Sequence, residues 1–188
     1  MLGKKLSEMT LEELWQLFPI FLTEYQDCWK EWYLEEEKLL LDTIPQIERI
    51  SHIGSTSIPF IWAKPIVDIL VEIPQEEQLS EYQNVIESNG YICMYQSEDW
   101  ISFNKGYSES GFAEKVFHLH LRRFGNNDEL YFRDYLLDHP DIACEYEKLK
   151  LALWKEFEHN RDGYTNSKTE FIKYHTNQAK ILYKNRYE

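Results

Sequence analysis

Two groups of residues in this sequence have types and spacings suited to binding a phosphorylated ligand. Gly54, Ser55 and Thr56 form a turn directly after an alternating, isoleucine-rich run. Glycine adopts backbone angles that other residues avoid, and successive hydroxyl and backbone N–H groups can cradle an anion. Asp68 lies in the middle of the apolar run I-V-D-I-L-V-E-I. A buried carboxylate is costly unless a cation or hydrogen bonds offset its charge, so Asp68 is predicted to have such a partner. The Gly54–Thr56 turn is predicted to bind phosphate beside it.

Two histidines offer one way to compensate Asp68. His118 and His120 are two residues apart in a predicted strand, so both side chains lie on one face, about 6.6 Å apart along the chain. Two imidazoles and one carboxylate make a recognised open metal site. We therefore predict that Asp68, His118 and His120 converge near the Gly54–Ser55 turn and share a divalent metal ion (Mn, Mg or Zn), with imidazole favouring Mn, Fe or Zn over Mg. The alternative is a pair of hydrogen-bonded histidines on a half-exposed sheet face.

Nearby cationic residues offer further partners. Lys64, four residues before Asp68, would share its strand face and could neutralise it without metal. Arg122 ends the histidine strand and is predicted, with Lys64, to contact phosphate, although a solvated edge is an equal alternative. Ser55 is predicted to bind phosphate rather than to act as a nucleophile, because no G-x-S-x-G pattern surrounds it. His52 is a fourth candidate ligand, but alternation with Ile53 could direct it to the opposite face.

Hydrophobic periodicity predicts an α+β protein with a mixed or antiparallel sheet. Capping boxes begin helices at Thr10 and Ser167, and Asp128 is predicted to cap another. Strands alternate or form short apolar runs, whereas helices repeat apolar residues every three or four positions. The predicted strands cover 47–53, 66–73, 91–95, 100–104 and 115–122, and the predicted helices cover 10–18, 24–41, 75–88, 128–138, 140–158 and the segment after 167.

Composition excludes several classes of protein. The chain has 188 residues, 43% of them hydrophobic, which suits one domain: helices in 1–45, a sheet core in 46–124 and helices in 125–188. A net charge of −13 argues against general nucleic-acid binding, so any phosphate must be held locally. The sequence has no 18-residue apolar run and no signal-peptide pattern, which predicts a cytoplasmic protein without membrane association. Three cysteines without paired spacing predict free thiols.

Several motifs together resemble one known family. H-I-G-S-T-S-I-P at 52–59, A-K-P-I-V-D-I-L-V at 63–71, F-H-L-H-L at 117–121 and F-R-D-Y-L at 132–136 resemble the GrpB family of glutamate-rich proteins, within the nucleotidyltransferase superfamily. The resemblance runs from about Tyr25 onward. It implies a minimal nucleotidyltransferase sheet flanked by N- and C-terminal helices, with carboxylates that bind metal ions under a nucleoside triphosphate.

The sequence matches the superfamily pattern at Gly54, Ser55 and Asp68 but departs at Leu70, where the pattern has a second acid. Glu72 is on the same strand face but about 13 Å from Asp68, too far to share an ion. The resemblance implies a metal-dependent nucleotidyltransferase-like protein that binds a nucleotide or other phosphorylated small molecule, with Asp68 catalytic. Leu70 supports the alternative, a catalytically inactive binding or regulatory module.

Overall fold

Five strands form one mixed sheet in the computed structural model, which describes residues 4–187. The central pair, β2 and β5, is parallel, and the other neighbouring pairs are antiparallel. The predicted α+β class and mixed sheet are confirmed. In the order β1-β2-β5-β4-β3, the strands are β1 Arg49–Ile53, β2 Val67–Ile73, β5 Gly111–Arg123, β4 Trp100–Ser108 and β3 Ile92–Gln96.

The hairpin of β4 and β5 is longer than predicted. The predicted strands cover 100–104 and 115–122, but in the structure the strands stay paired until Ser108 meets Gly111. The register shifts between Lys105 and Tyr107, and the residue between them, Gly106, has a φ of 90°. A Cβ atom there would lie 3.0 Å from the backbone of Val116, so the bulge depends on glycine. The extended hairpin places Tyr107 beside the histidine strand.

Helices precede, interrupt and follow the sheet. The capping box at Thr10 is confirmed, since its side chain accepts from the Glu13 backbone N–H and Glu13 accepts from the Thr10 N–H. The capping box predicted at Ser167 is wrong, because the last helix begins after Lys168 without a side-chain cap. Asp128 also caps nothing and is the first helical residue. The helix predicted over 75–88 is reduced to a 3-10 turn and α3. The helices are α1 Leu11–Leu17, α2 Cys28–Thr43, α3 Gln83–Ser88, α4 Asp128–Asp138, α5 Pro140–Phe157, α6 Arg161–Asn166 and α7 Thr169–Tyr183.

The two faces of β2 have different neighbours. Odd-numbered residues such as Ile69 and Val71 join the main core with Trp29 and Leu40 of α2. Even-numbered residues face the C-terminal helices, where Leu70 packs with Leu130 of α4. Asp68 is therefore on the face that the C-terminal helices cover.

Glu72 has a structural role at the far end of the same face. Its side chain is fully buried, with one oxygen accepting from the backbone N–H of Gly125 (2.9 Å) and from Asn127 (3.0 Å). The other oxygen forms an ion pair with Arg49 at 3.2 Å. Glu72 thus ties β1 and β2 to the start of α4 and does not reach Asp68.

None of the helices within residues 4–187 combines the length and apolar composition needed to cross a membrane.

Candidate functional site

The turn after β1 is built directly against Asp68. Ile53, the last residue of β1, pairs with Asp68 in the antiparallel register, so Gly54 follows beside the carboxylate. Gly54 has a φ of 71°, and a Cβ atom there would lie 2.9 Å from the Asp68 Cγ. Glycine is therefore required both for the backbone angle and for the close approach of Asp68.

Gly54→Ala should displace the Asp68 carboxylate and lower the free energy of unfolding by more than Gly90→Ala does. Both glycines have positive φ, but Gly54 (φ 71°, ψ −173°) lies in a region of backbone angles that is essentially restricted to glycine, and the nearest atom to a Cβ on Gly90 is 3.8 Å away. Urea denaturation of both variants therefore measures the clash with Asp68 together with the backbone strain at Gly54. Equal destabilisation would show that the clash with Asp68 adds no cost.

Asp68 and the two histidines converge as predicted. The parallel register pairs Asp68 with His118 and Leu70 with His120. Asp68 Oδ1 lies 3.2 Å from His118 Nδ1 and 3.6 Å from His120 Nε2. Burial alone would raise the pKa of Asp68, but the His118 and His120 imidazoles beside it hold that pKa well below its usual range. Asp68 is thus an anion at neutral pH.

A line of hydrogen bonds continues from His118 to α6. The Tyr107 hydroxyl lies 2.8 Å from His118 Nε2, and Arg161 Nη2 donates to the same hydroxyl oxygen at 2.7 Å. Burial is the main cause that lowers the pKa of His118, to about 4, against the opposing effect of Asp68. The His118 ring is therefore neutral at pH 7, with a partner on each nitrogen.

The three converging side chains have the donor types of a site for one metal ion. Their donor atoms are closer than the roughly 4.5 Å that two ligands of one ion can span. As folded, however, they are only in close contact with one another, and within residues 4–187 no set of three or more His, Cys, Asp or Glu is arranged to hold a metal ion. Leu70 is buried at the position where the superfamily pattern has a second acid, so β2 offers no second carboxylate there.

A cavity of about 510 Å³ opens above Asp68, between the sheet and the C-terminal helices. Its apolar wall includes Ile58, Phe132 and Leu136. The carboxylates at its edge other than Asp68 have cationic partners: Asp128 pairs with Lys180, and Glu129 pairs with Arg122 at 2.8 Å. The cationic side chains that line the cavity are Lys64, Arg133, Lys150, Arg161, Lys168 and Lys173.

In the part of the chain that the structure describes, three of these lysines have no carboxylate partner that would offset their positive charge. Lys64 and Lys168 approach the ring of Tyr164, at 5.4 and 4.3 Å from its centroid, and neither forms an ion pair with any residue in 4–187. Lys150 donates to the Trp62 carbonyl and is 2% exposed. Burial lowers the pKa of Lys64 and of Lys150 to about 7, and of Lys168 to about 8.

The structure divides the predicted phosphate ligands. Gly54, Ser55 and Lys64 line the cavity. Thr56 is buried, and its hydroxyl donates to the Ile66 carbonyl (3.1 Å) and bonds with His52 (2.9 Å). Arg122 lies over the Trp100 ring and pairs with Glu129 outside the cavity.

The remaining predictions around Asp68 are settled by geometry. His52 stacks on Tyr33 of α2, on the sheet face opposite Asp68. Lys64 shares the cavity with Asp68 but does not pair with it; the histidines occupy that role.

Sequence reasoning missed the cationic residues contributed by the C-terminal helices. Lys150 carried a usable signal, because it occupies the apolar stripe of α5, four residues after Tyr146 and three before Leu153. A lysine at such a position is buried and needs a reason. Arg161 and Lys168 carried no comparable signal, since Arg161 begins the short helix α6 and Lys168 directly precedes α7, both among polar neighbours.

Comparison with known proteins identifies the family of this chain. The family model described as GrpB protein matches residues 19–178. The chain belongs to the GrpB family. It is 35% identical over 189 residues to the UPF0157 protein YqkA of Bacillus subtilis, covering 97% of this chain but only 54% of YqkA, so it spans about half the length of that relative.

Two solved structures share the fold. The crystal structure of GrpB from Enterococcus faecalis superposes with a TM-score of 0.75 at 32% identity, covering 87% of this chain and 99% of that one. The Cid1 poly(U) polymerase bound to MgATP superposes with a TM-score of 0.50 at 13% identity, covering 71% of this chain and 43% of that one. This GrpB protein thus has a nucleotidyltransferase-like fold.

Proposed function

We propose that this protein binds a nucleotide or another phosphorylated small molecule in the cavity above Asp68. The observation that carries the proposal is the cluster of Lys64, Lys150 and Lys168 in one cavity: Lys150 is buried, the other two are half-buried, and none of the three forms an ion pair within residues 4–187. Buried charges are costly unless they are paired. A phosphorylated ligand would supply the missing negative charge.

The surroundings of this cluster favour a small anion over a polyanion. The chain carries a net charge of −13, so its surface repels polyanions, whereas Lys64, Lys150, Lys168 and Arg161 converge in one cavity. Charge-assisted hydrogen bonds from ammonium and guanidinium groups are the usual means of holding phosphate. Gly54 and Ser55 border the same cavity and would contact the phosphates from the sheet side.

A divalent ion is the second part of the proposal. Asp68, His118 and His120 would hold it, since an anionic carboxylate and neutral imidazoles suit Mn, Fe or Zn better than Mg. When bound, such an ion would offset the charge of the ligand phosphates. Binding requires Asp68 and His118, now 3.2 Å apart, to rearrange around the ion, because the group is not arranged as a metal site in this structure.

Transfer of a nucleotidyl group is the reaction that the fold suggests, with Asp68 as the catalytic carboxylate. The second candidate is an inactive binding or regulatory module. The fully buried Leu70 favours it, because β2 then provides only one carboxylate near the turn, whereas metal-assisted in-line displacement commonly uses more than one. The two candidates share the ligand and differ in turnover, so labelled product from a bound triphosphate separates them.

Isothermal titration with each of the four ribonucleoside triphosphates, in EDTA and then with magnesium or manganese, tests the proposal. We expect heat with at least one triphosphate and a larger affinity with manganese than with magnesium. The absence of heat with every triphosphate under all three conditions would reject nucleotide binding.

Lys168→Met should weaken that binding by about tenfold or more, because a charge-assisted hydrogen bond to phosphate is lost. Lys38→Met is the matched control, since Lys38 is an exposed lysine of α2 outside the cavity. Both substitutions remove one positive charge from the chain, so equal losses of affinity would indicate a general electrostatic effect instead of contact in the cavity.

A further inference from the structure

The apolar wall of the cavity is one continuous cluster. Ile58, Leu136 and Tyr146 are buried together, and the partly buried side chains of Phe132 and Ile172 pack against them. All five line the cavity, and they come from the segment between β1 and β2 and from α4, α5 and α7. The first three are at most 5% exposed, so Phe132 and Ile172 provide the apolar surface that a ligand would cover.

This wall adjoins the cationic side chains. The Lys150 Nζ atom lies 4.9 Å from the centroid of the Tyr146 ring, which belongs to the wall. Lys64 and Lys168 lie over a second ring of the same cavity, that of Tyr164. A ligand whose phosphate meets Lys150 therefore has the rest of the molecule beside the apolar wall.

The polar side chains next to the wall are already paired. The Thr176 hydroxyl, one turn after Ile172, donates to the Ile172 carbonyl at 2.8 Å. Arg133 donates to the His52 carbonyl at 3.0 Å and forms an ion pair with Asp134 at 2.8 Å. These groups are therefore committed within the protein and are poorly placed to recognise the polar edge of a ligand.

Other polar side chains of the lining are at its exposed rim. Thr165, Lys173 and Asn177 line the cavity and are exposed. Water competes for hydrogen bonds at such positions, whereas strong discrimination between polar groups needs buried partners. The buried part of the cavity beyond the lysines thus offers mainly apolar contact.

We propose that the cavity binds a phosphate ester whose organic group is apolar, and that this group lies against Phe132 and Ile172 and is recognised by its apolar surface. The inference rests on the proposed function and specifies the ligand of the same site. A nucleobase buried against the wall would leave its polar edge without partners, which is costly. The cavity therefore does not select among nucleobases.

Isothermal titration in EDTA with two simple esters tests the recognition of the organic group. Phenyl phosphate and methyl phosphate carry the same phosphate group and differ in apolar area. We expect phenyl phosphate to bind at least about tenfold more tightly, which corresponds to burial of one ring. The four ribonucleoside monophosphates should bind within about threefold of one another. Equal affinities for the two esters would overturn the inference, as would a preference of about tenfold or more for one nucleobase.

Ile172→Thr tests the contact with the wall. We expect the affinity for phenyl phosphate to fall about fivefold and that for methyl phosphate to stay unchanged, because only the phenyl group covers this side chain. Ile181→Thr is the matched control, since Ile181 is on the same helix, is 66% exposed and does not line the cavity. Phe132→Leu, which keeps an apolar residue but loses the ring, should repeat the pattern of Ile172→Thr. Equal losses for both esters in these two variants would overturn the assignment of the wall.

Phosphate binding and apolar recognition can fail separately. Binding of a ribonucleoside triphosphate, without a gain of phenyl phosphate over methyl phosphate, would overturn apolar recognition and leave the proposed function standing. Absence of binding by every ester and every triphosphate would overturn both.

Discussion

Replacing Arg49 with Met should lower the free energy of unfolding by about 3–5 kcal/mol, the usual cost of removing one partner from a buried ion pair. Glu72 is fully buried, and its carboxylate lies 3.2 Å from the Arg49 guanidinium. Without Arg49, that carboxylate keeps the Gly125 N–H and Asn127 as partners but has no compensating charge.

Further contacts of Arg49 add to the expected loss. Its guanidinium lies over the rings of Phe124 (4.7 Å) and Tyr187 (5.2 Å) and donates to the Tyr187 carbonyl. Arg49 thus joins the first strand of the sheet to the segments on either side of the C-terminal helices. The same substitution removes a charge, two cation–π contacts and a hydrogen bond to the segment after α7.

Arg122→Met is the matched control for this prediction. Arg122 also pairs with a glutamate and lies over an aromatic ring, at 2.8 Å from Glu129 and 4.8 Å from the Trp100 centroid. Glu129 is about one third exposed, so the expected loss is about 1 kcal/mol or less. Urea unfolding of both variants gives the comparison, and similar losses would contradict a special role for the buried Glu72.

The fold was predictable from the sequence because the two central strands have unambiguous patterns. β2 is apolar on both faces and β5 alternates around His118 and His120, which together indicated a sheet with one fully covered strand. Boundaries were less accurate where tertiary contacts decide them. The β4–β5 hairpin continues through Gly106, which forms a bulge, although the polar, glycine-bearing segment 105–111 has the composition of a turn.

The sheet half of the site was also predictable, and the helical half was not. Gly54, Asp68, His118 and His120 are in strands or next to them, where a period of two fixes which side chains share a face. The register between strands then brings them together. Lys150, Arg161 and Lys168 come from helices whose orientation depends on the packing of α4 to α7, which no local pattern encodes.

Thr56 illustrates a limit of reading a motif residue by residue. Three successive hydroxyl-bearing residues follow Gly54, but they form a 3-10 turn, in which their side chains point in different directions. Ser55 faces the cavity, whereas Thr56 is turned inward to bond with the Ile66 carbonyl and His52. In such a turn, adjacent side chains point to different surroundings, so a cluster of hydroxyls does not by itself form one phosphate site.

The affinity for a phosphorylated ligand should fall by at least about 100-fold between about pH 6 and about pH 9. Burial is the main cause that lowers the pKa of Lys64 and Lys150 to about 7, and that of Lys168 to about 8. An anion favours the charged lysines, so above these pKa values each lysine must take up a proton on binding. Each such proton decreases the affinity by up to tenfold per pH unit.

The stability of the ligand-free protein should change with pH in the opposite direction. These lysines have a lower pKa when folded than when unfolded, so the unfolded chain binds more protons between about pH 7 and about pH 10, and the free energy of unfolding rises over that range. Loss of affinity at high pH therefore cannot be attributed to unfolding. Titration calorimetry in buffers of different ionisation enthalpy should detect proton uptake near pH 8, reduced in the Lys64→Met, Lys168→Met double variant. A flat affinity profile with no proton uptake would show that these lysines do not contact the ligand.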